Sequence, residues 1–173
     1  VYLELKRKIM HNIHINKKER ELVMCKIALV ASSGGHLFQL SSLKEFWGEK
    51  DHFWVSFKTE DAKHLLKDEE VYWAYYPTNR NTKNLIKNIL LAIRILTKEK
   101  PYAIISTGAG IAVPFIIIGK ILNIKTLYLE SITRSEELSL SGRLVYPFVS
   151  KLLVQWPQLA EKYKKAEFRG RII

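Results

Sequence analysis

Short apolar runs alternate with amphipathic stretches along most of the chain. Residues 26–30 (Lys26-Ile27-Ala28-Leu29-Val30) predict a buried strand, and after the turn Ala31-Ser32-Ser33-Gly34-Gly35-His36 the apolar Leu37, Leu40 and Leu43 fall at helical spacing. Residues 52–57 are aromatic and β-branched enough for a second strand. Thr59 stands where it can cap a helix over 60–66, and residues 71–76 predict a third strand stopped by Pro77. A long helix follows over about 83–97. It carries Leu85, Ile86, Ile89, Leu90, Ile93 and Leu96 on one side and Lys83, Lys87, Arg94 and Lys98 on another. Two readings are open for it: a sheet-covering helix with a lysine-rich solvated side, or a basic helix lying on an anionic bilayer.

Pro101 ends that helix, and residues 102–106 predict a fourth strand running into a second glycine turn, Thr107-Gly108-Ala109-Gly110. Residues 111–122 are apolar nearly all round, which calls for burial or for a lipid or partner surface. A fifth strand over 125–129 ends just before Glu130. A helix then passes through Tyr146 and Phe148, and a sixth strand over 151–154 stops at Gln155-Trp156-Pro157. The tail from Lys162 is basic and predicts no further strand–helix–strand unit. This alternation implies an α/β fold, a Rossmann-like parallel sheet with helices on both faces. Residues 1–23 are polar with weak periodicity and read as a flexible N-terminal appendage, leaving 24–173 as one domain.

Composition narrows the class only slightly. Of 173 residues 47% are hydrophobic and 26% charged, ordinary values for a globular protein, and 28 Lys and Arg against 17 Asp and Glu give a net charge of +11. That balance suits phosphate-bearing partners: nucleic acid, nucleotides or an anionic membrane. The one cysteine, Cys25, cannot form an internal disulfide. No run reaches the roughly 18 apolar residues of a membrane span, and residues 1–23 lack the apolar core of a signal peptide, so neither a span nor secretion is expected. His11, His14, His52 and His64 lack the spacing and company of a metal site.

In an open parallel sheet, ligands bind beyond the carboxyl ends of the strands, near the point where strand order reverses. The chemistry-bearing residues gather at such ends: Ser32 to His36 after the first strand, Thr107 to Gly110 after the fourth, Glu130 to Arg134 after the fifth, and Gln155-Trp156 after the sixth. The Gly34-Gly35 turn can approach an anion closely, although it is not the G-x-G-x-x-G of dinucleotide binding and a tight turn alone is the competing reading. Glu130 is open to either catalysis or capping, Arg134 and Arg143 to either phosphate contact or solvation, and Trp156 reads as core.

Taken in order, Ser32-Ser33-Gly34-Gly35-His36 with Gln39-Leu40, Ser106 to Gly110, Glu130-Ser131-Ile132-Thr133-Arg134, Ser139 to Leu144 and Val154-Gln155-Trp156-Pro157 resemble the signature blocks of one family. It comprises the bacterial capsular and exopolysaccharide glycosyltransferase accessory subunits, similar to the membrane-recruiting subunit of the eukaryotic dolichol-linked UDP-GlcNAc transferase. The resemblance implies the N-terminal half of a GT-B glycosyltransferase whose donor-binding half is a separate polypeptide. This chain would hold a polyprenol-diphosphate-linked saccharide and bring the complex to the membrane as a peripheral protein on the cytoplasmic face. The UDP-sugar would bind through the partner, with no metal or other cofactor. His36 and Glu130 become the candidate catalytic residues. Ser32, Ser33, Gly34, Gly35, Thr107, Gly108, Gly110, Arg134 and Arg143 become candidates for the acceptor diphosphate. The eukaryotic relatives carry an N-terminal membrane span, so anchoring is expected instead from the basic helix, the apolar helix after it and the N-terminal segment. The competing class is a basic nucleic-acid-binding module, disfavoured because the aromatics sit in strand-like runs.

Overall fold

The computed structural model describes residues 26–79 and 81–172; the N-terminal appendage, Cys25, His11 and His14 lie outside them. The elements run β1 (Ile27–Ala31), α1 (Gly35–Ser41), α2 (Lys44–Trp47), β2 (His52–Phe57), α3 (Glu60–Leu65), β3 (Val71–Ala74) and α4 (Thr82–Glu99). After these come β4 (Ala103–Gly108), α5 (Ala112–Ile121), β5 (Lys125–Leu129), α6 (Leu140–Val145), β6 (Lys151–Val154), α7 (Pro157–Lys162) and β7 (Ala166–Phe168). The strands form one sheet in the order β3-β2-β1-β4-β5-β6-β7, and every pair is parallel. The order reverses between β1 and β4, which makes that boundary the ligand-binding switch point of an open parallel sheet.

A parallel sheet survives only with both faces covered, and so β1 and β4 are buried along their whole length. Beneath one face, α1, α2 and α3 pack Leu37, Leu40, Trp47 and Ala62 against Leu29, Trp54 and Ile105. On the other face, α4 and α5 set Ala92, Ile95 and Phe115 against Val30, Val55 and Ile104, and α6 and α7 continue that layer over β5 and β6. Each fully buried side chain of this size stabilises the fold by about 1.5–3 kcal/mol.

Three expectations are corrected. The basic tail does complete another unit: α7 leads to β7, which pairs parallel with β6 through Leu152, Leu153 and Val154. Three residues are too few to show periodicity. Glu167 sits between them as a charged edge residue, paired with Lys151 and Arg169. The third strand ends at Ala74, because the Asn88 side chain accepts from Tyr75 N and donates to Tyr75 O, both at 2.9 Å. The backbone of Tyr75 is thereby paired with a side chain and not with β2. The same contact turns α4: its inward face is Asn88, Ala92, Ile95 and Leu96, while Leu85, Ile86, Leu90 and Ile93, which the sheet-covering reading of this helix puts against the sheet, are exposed.

Candidate functional site

At the switch point His36, in the first turn of α1, reaches across to the end of β4. Its Nδ1 lies 2.7 Å from the Thr107 carbonyl oxygen. A carbonyl can only accept, so in the neutral ring Nδ1 carries the proton and Nε2 keeps its lone pair. The Thr107 hydroxyl returns the contact by donating to His36 O at 2.6 Å. Gly108 makes room for the ring: at φ 115° a Cβ there would stand 2.9 Å from the Tyr128 hydroxyl oxygen and 3.2 Å from His36 Cε1. The second glycine turn thus serves to bring the imidazole against β4.

His36 opens onto a cleft of about 1110 Å³ that runs over the N-terminal turn of α5, between the starts of α4 and α6. Hydroxyl groups of Ser32, Ser33, Thr78, Thr82, Ser131, Thr133, Ser139 and Ser141 line it, with the amides of Asn79, Asn81 and Asn88. Among the described residues that line it there is no carboxylate, and Arg134 is the one full positive charge. Arg134 forms no ion pair among the described residues. One end of the cleft is apolar, with Leu85, Val113, Leu140 and Leu144. Hydroxyls and amides suit sugar and phosphate oxygens, a free guanidinium suits a phosphate, and the apolar end suits a hydrocarbon.

The expected site residues divide within this geometry. Ser32, Ser33, His36, Gly110 and Arg134 line the cleft together, and Thr107 and Gly108 lie behind His36. Gly34 and Gly35 are exposed beside it, and the Gly34 amide already donates to the Asp61 carboxylate at 2.8 Å. A carboxylate therefore occupies the place an anion would take on that amide. Asp61 stands 27 residues away at the start of α3, and nothing in the sequence pattern connects the two. Arg143 points elsewhere, 4.0 Å from Glu137 on the surface.

Glu130 is 1% exposed and does not line the cleft. Its Oε1 accepts from Ser131 N at 2.9 Å, and its Oε2 accepts from Ser139 N at 2.9 Å and from the Ser139 hydroxyl at 3.0 Å. Ser139 in turn caps α6 by accepting from Gly142 N at 3.0 Å, and a Cβ on Gly142 would collide with Glu130 Oε2. The carboxylate therefore ties both ends of the 131–139 loop, which carries Thr133 and Arg134. Burial raises the Tyr128 hydroxyl pKa above its ordinary value, with the Glu130 charge adding to the effect. Gln155, fully buried, closes the arrangement from β6 by donating to Glu130 O at 3.0 Å and accepting from Ile172 N at 2.8 Å. Trp156 is half-buried, donates its indole N–H to Ile132 O at 2.6 Å, and lies under the Arg171 guanidinium 3.9 Å from the ring centre.

Comparison with known proteins bears on this site as a whole. Residues 27–172 match the family described as "Oligosaccharide biosynthesis protein Alg14 like". The UDP-N-acetylglucosamine transferase subunit ALG14 of Yarrowia lipolytica is 36% identical over 104 residues, covering 57% of this chain and 47% of that protein. The human protein of the same name is 27% identical over 179 residues, covering 85% of this chain and 82% of its own length. The chain thus spans about half the length of the yeast relative it matches. These relatives are eukaryotic and lend no support to the capsular or exopolysaccharide setting expected from the sequence. Among solved structures, Acinetobacter baumannii MurG superposes with a TM-score of 0.63 at 17% identity, over 77% of this chain and 42% of that one, which shows the fold.

Proposed function

Because the chain belongs to the Alg14-like family of oligosaccharide biosynthesis proteins, we propose that it is the acceptor-holding subunit of a two-component glycosyltransferase working at a membrane surface. The donor is UDP-N-acetylglucosamine, bound by a separate subunit, and the acceptor is a saccharide linked through diphosphate to a polyprenol. The transfer inverts the anomeric centre. The acceptor hydroxyl attacks that carbon from the face opposite the nucleotide. His36 Nε2 takes the hydroxyl proton as the new C–O bond forms, and UDP leaves with the electron pair of the broken bond. Arg134 and the hydroxyls of Ser32, Ser33 and Thr133 hold the acceptor diphosphate, with Gly110 beside them leaving room for the Thr78 side chain. Glu130 acts through the loop it ties, as a positioning residue.

One observation supports this reading most directly. Thr107 O fixes the protonated nitrogen of His36, so the free nitrogen belongs to a cleft rich in hydroxyls and, among the described residues, free of carboxylates. An imidazole base held in one tautomer contributes roughly 100- to 10,000-fold to such a transfer. The test combines the full chain, its donor-binding partner, UDP-N-acetylglucosamine and a polyprenol-diphosphate saccharide. His36→Ala should lower kcat by that factor with an unchanged melting temperature, whereas undiminished turnover would remove His36 from the mechanism. Tight, saturable RNA or DNA binding in a gel shift, without transfer, would favour the nucleic-acid class instead.

A further inference from the structure

Helices α4, α5 and α6 carry most of the exposed large apolar side chains among the described residues and are basic up to Glu99 at the end of α4, whereas Glu136 and Glu137 stand exposed before α6 and Glu161 on α7. On α4, Ile86, Leu90 and Ile93 are 58%, 62% and 41% exposed, and their i, i+4, i+7 spacing makes a single outward stripe. Lys83, Lys87 and Arg94 flank it, all exposed, and α4 has no acidic residue before Glu99 at its last position. The segments of α5 and α6 contain no Asp or Glu. Ile121 and Leu122 extend the apolar surface at the far end of α5, exposed 67% and 39%. Beside the start of α4, Tyr75 is 45% exposed, with the Lys87 ammonium 5.0 Å above its ring. The opposite layer differs: α2 and α3 bring Glu45, Glu60 and Asp61 to the surface among their lysines.

An apolar stripe bordered by cations, free of acids and edged by tyrosine, has the chemistry of a helix lying in the headgroup plane of an anionic bilayer. We propose that the outer face of α4, continued by the ends of α5 and α6, is the docking surface of this protein for anionic phospholipid, with the α4 axis parallel to the membrane. Ile86, Leu90 and Ile93 enter the acyl boundary, and Lys83, Lys87 and Arg94 meet the headgroups. The docking stands on its own observations. Its consequence rests on the proposed function: Leu85, next to Ile86, and Leu140 and Leu144 line the apolar end of the cleft. A lipid-linked acceptor can then place its diphosphate near Arg134 while its tail stays in the bilayer.

The test is flotation of the full chain with phosphatidylcholine vesicles, with and without phosphatidylserine, in the absence of donor and partner. The wild type should float only with phosphatidylserine, and less as salt rises. The variant Ile86→Glu/Leu90→Glu should lose more than about tenfold in partitioning. Each of Lys83→Gln, Lys87→Gln and Arg94→Gln should lose about fivefold, the factor that corresponds to about 1 kcal/mol per basic residue at such a surface. All five positions are exposed, so circular dichroism should show an unchanged fold. Unchanged flotation of these variants, or no flotation of the wild type, overturns the assignment. So does loss of partner binding in Ile86→Glu/Leu90→Glu with flotation intact, which would make the stripe a protein interface. Transfer to a short-chain, water-soluble acceptor is measured alongside: a docking variant should keep it, so failure of the docking surface and failure of the transferase reading give different results.

Discussion

Glu130 and Glu99 stand at opposite edges of one sheet and are satisfied in opposite ways. At the amino-terminal edge, Glu99 gathers charge: it accepts from Lys26 Nζ at 2.6 Å, Lys98 Nζ at 2.8 Å and the Tyr72 hydroxyl at 2.5 Å, and Lys26 also reaches Glu70. At the carboxyl-terminal edge, Glu130 has only neutral donors, two backbone amides and one hydroxyl, all belonging to the loop beside the cleft. The first arrangement joins β1, β3 and the end of α4 with ion pairs that solvent and salt can weaken. The second is buried, and its partners have nowhere else to turn. Carboxylates at the two edges therefore do different work: one pins strand ends together, the other shapes the loop beside the cleft.

Replacing Glu130 tests that contrast with the largest effect on stability. Glu130→Gln puts an NH2 group where either Ser131 N or Ser139 N now donates, leaving two donors facing each other in a buried site. The expected cost is about 3 kcal/mol, a fall in melting temperature of about 6–12 °C for a chain of this size. Transfer should fall mainly through a raised KM for the acceptor, because the displaced loop carries Arg134. A melting temperature equal to wild type together with a kcat reduced a hundredfold would reverse the assignment, making Glu130 a catalytic residue and removing the difference between the edges.

Acid tests the other edge, with a smaller effect. The hydrogen bonds from Lys26, Lys98 and Tyr72 push Glu99 down to about 2, below the usual carboxylate value of 4.5. A depressed folded-state value contributes stability that is complete above the unfolded value and is lost as pH falls from about 4.5 toward 2. After allowance for solvent screening the contribution is about 1–2 kcal/mol. Urea midpoints of the wild type and Glu99→Gln should therefore differ at pH 7, draw together below about pH 4.5 and nearly meet at pH 2. An undiminished gap at pH 2 would show that Glu99 contributes through packing and not through charge.

The same contrast marks what could be read from the chain. Strand ends are legible because strand-forming runs such as 27–31 and 125–129 stop abruptly at polar residues, and these stops put His36, Gly108, Glu130 and Arg134 at one edge. Their individual duties are not, since each is set by a contact distant in sequence: His36 with Thr107 across 71 positions, Gly34 with Asp61 across 27. The inward side of α4 is hidden in the sequence for a similar reason. Its apolar residues cover more than half the helix circumference, and what selects the inward side is Asn88, whose amide finds its partners on the Tyr75 backbone. The short β7 escaped because three residues bounded by charge carry no period.

The two arginines give the smallest and cleanest comparison. Both are expected at the acceptor diphosphate, yet Arg134 lines the cleft without an ion pair among the described residues, while Arg143 is 58% exposed and loosely paired with Glu137. A surface pair of that length is worth at most a few tenths of a kcal/mol, so Arg143→Ala should leave melting temperature and transfer within error of wild type. Arg134→Ala should also leave stability alone, but it removes a charge-assisted contact of roughly 1.5–3 kcal/mol and should raise the acceptor KM by about 10- to 100-fold. Because the contact is to the diphosphate, remote from the reacting hydroxyl, kcat at saturating acceptor should change little. Equal acceptor KM values for the two variants would mean that the diphosphate lies outside this end of the cleft, and the direction in which His36 faces its substrate would have to be drawn again.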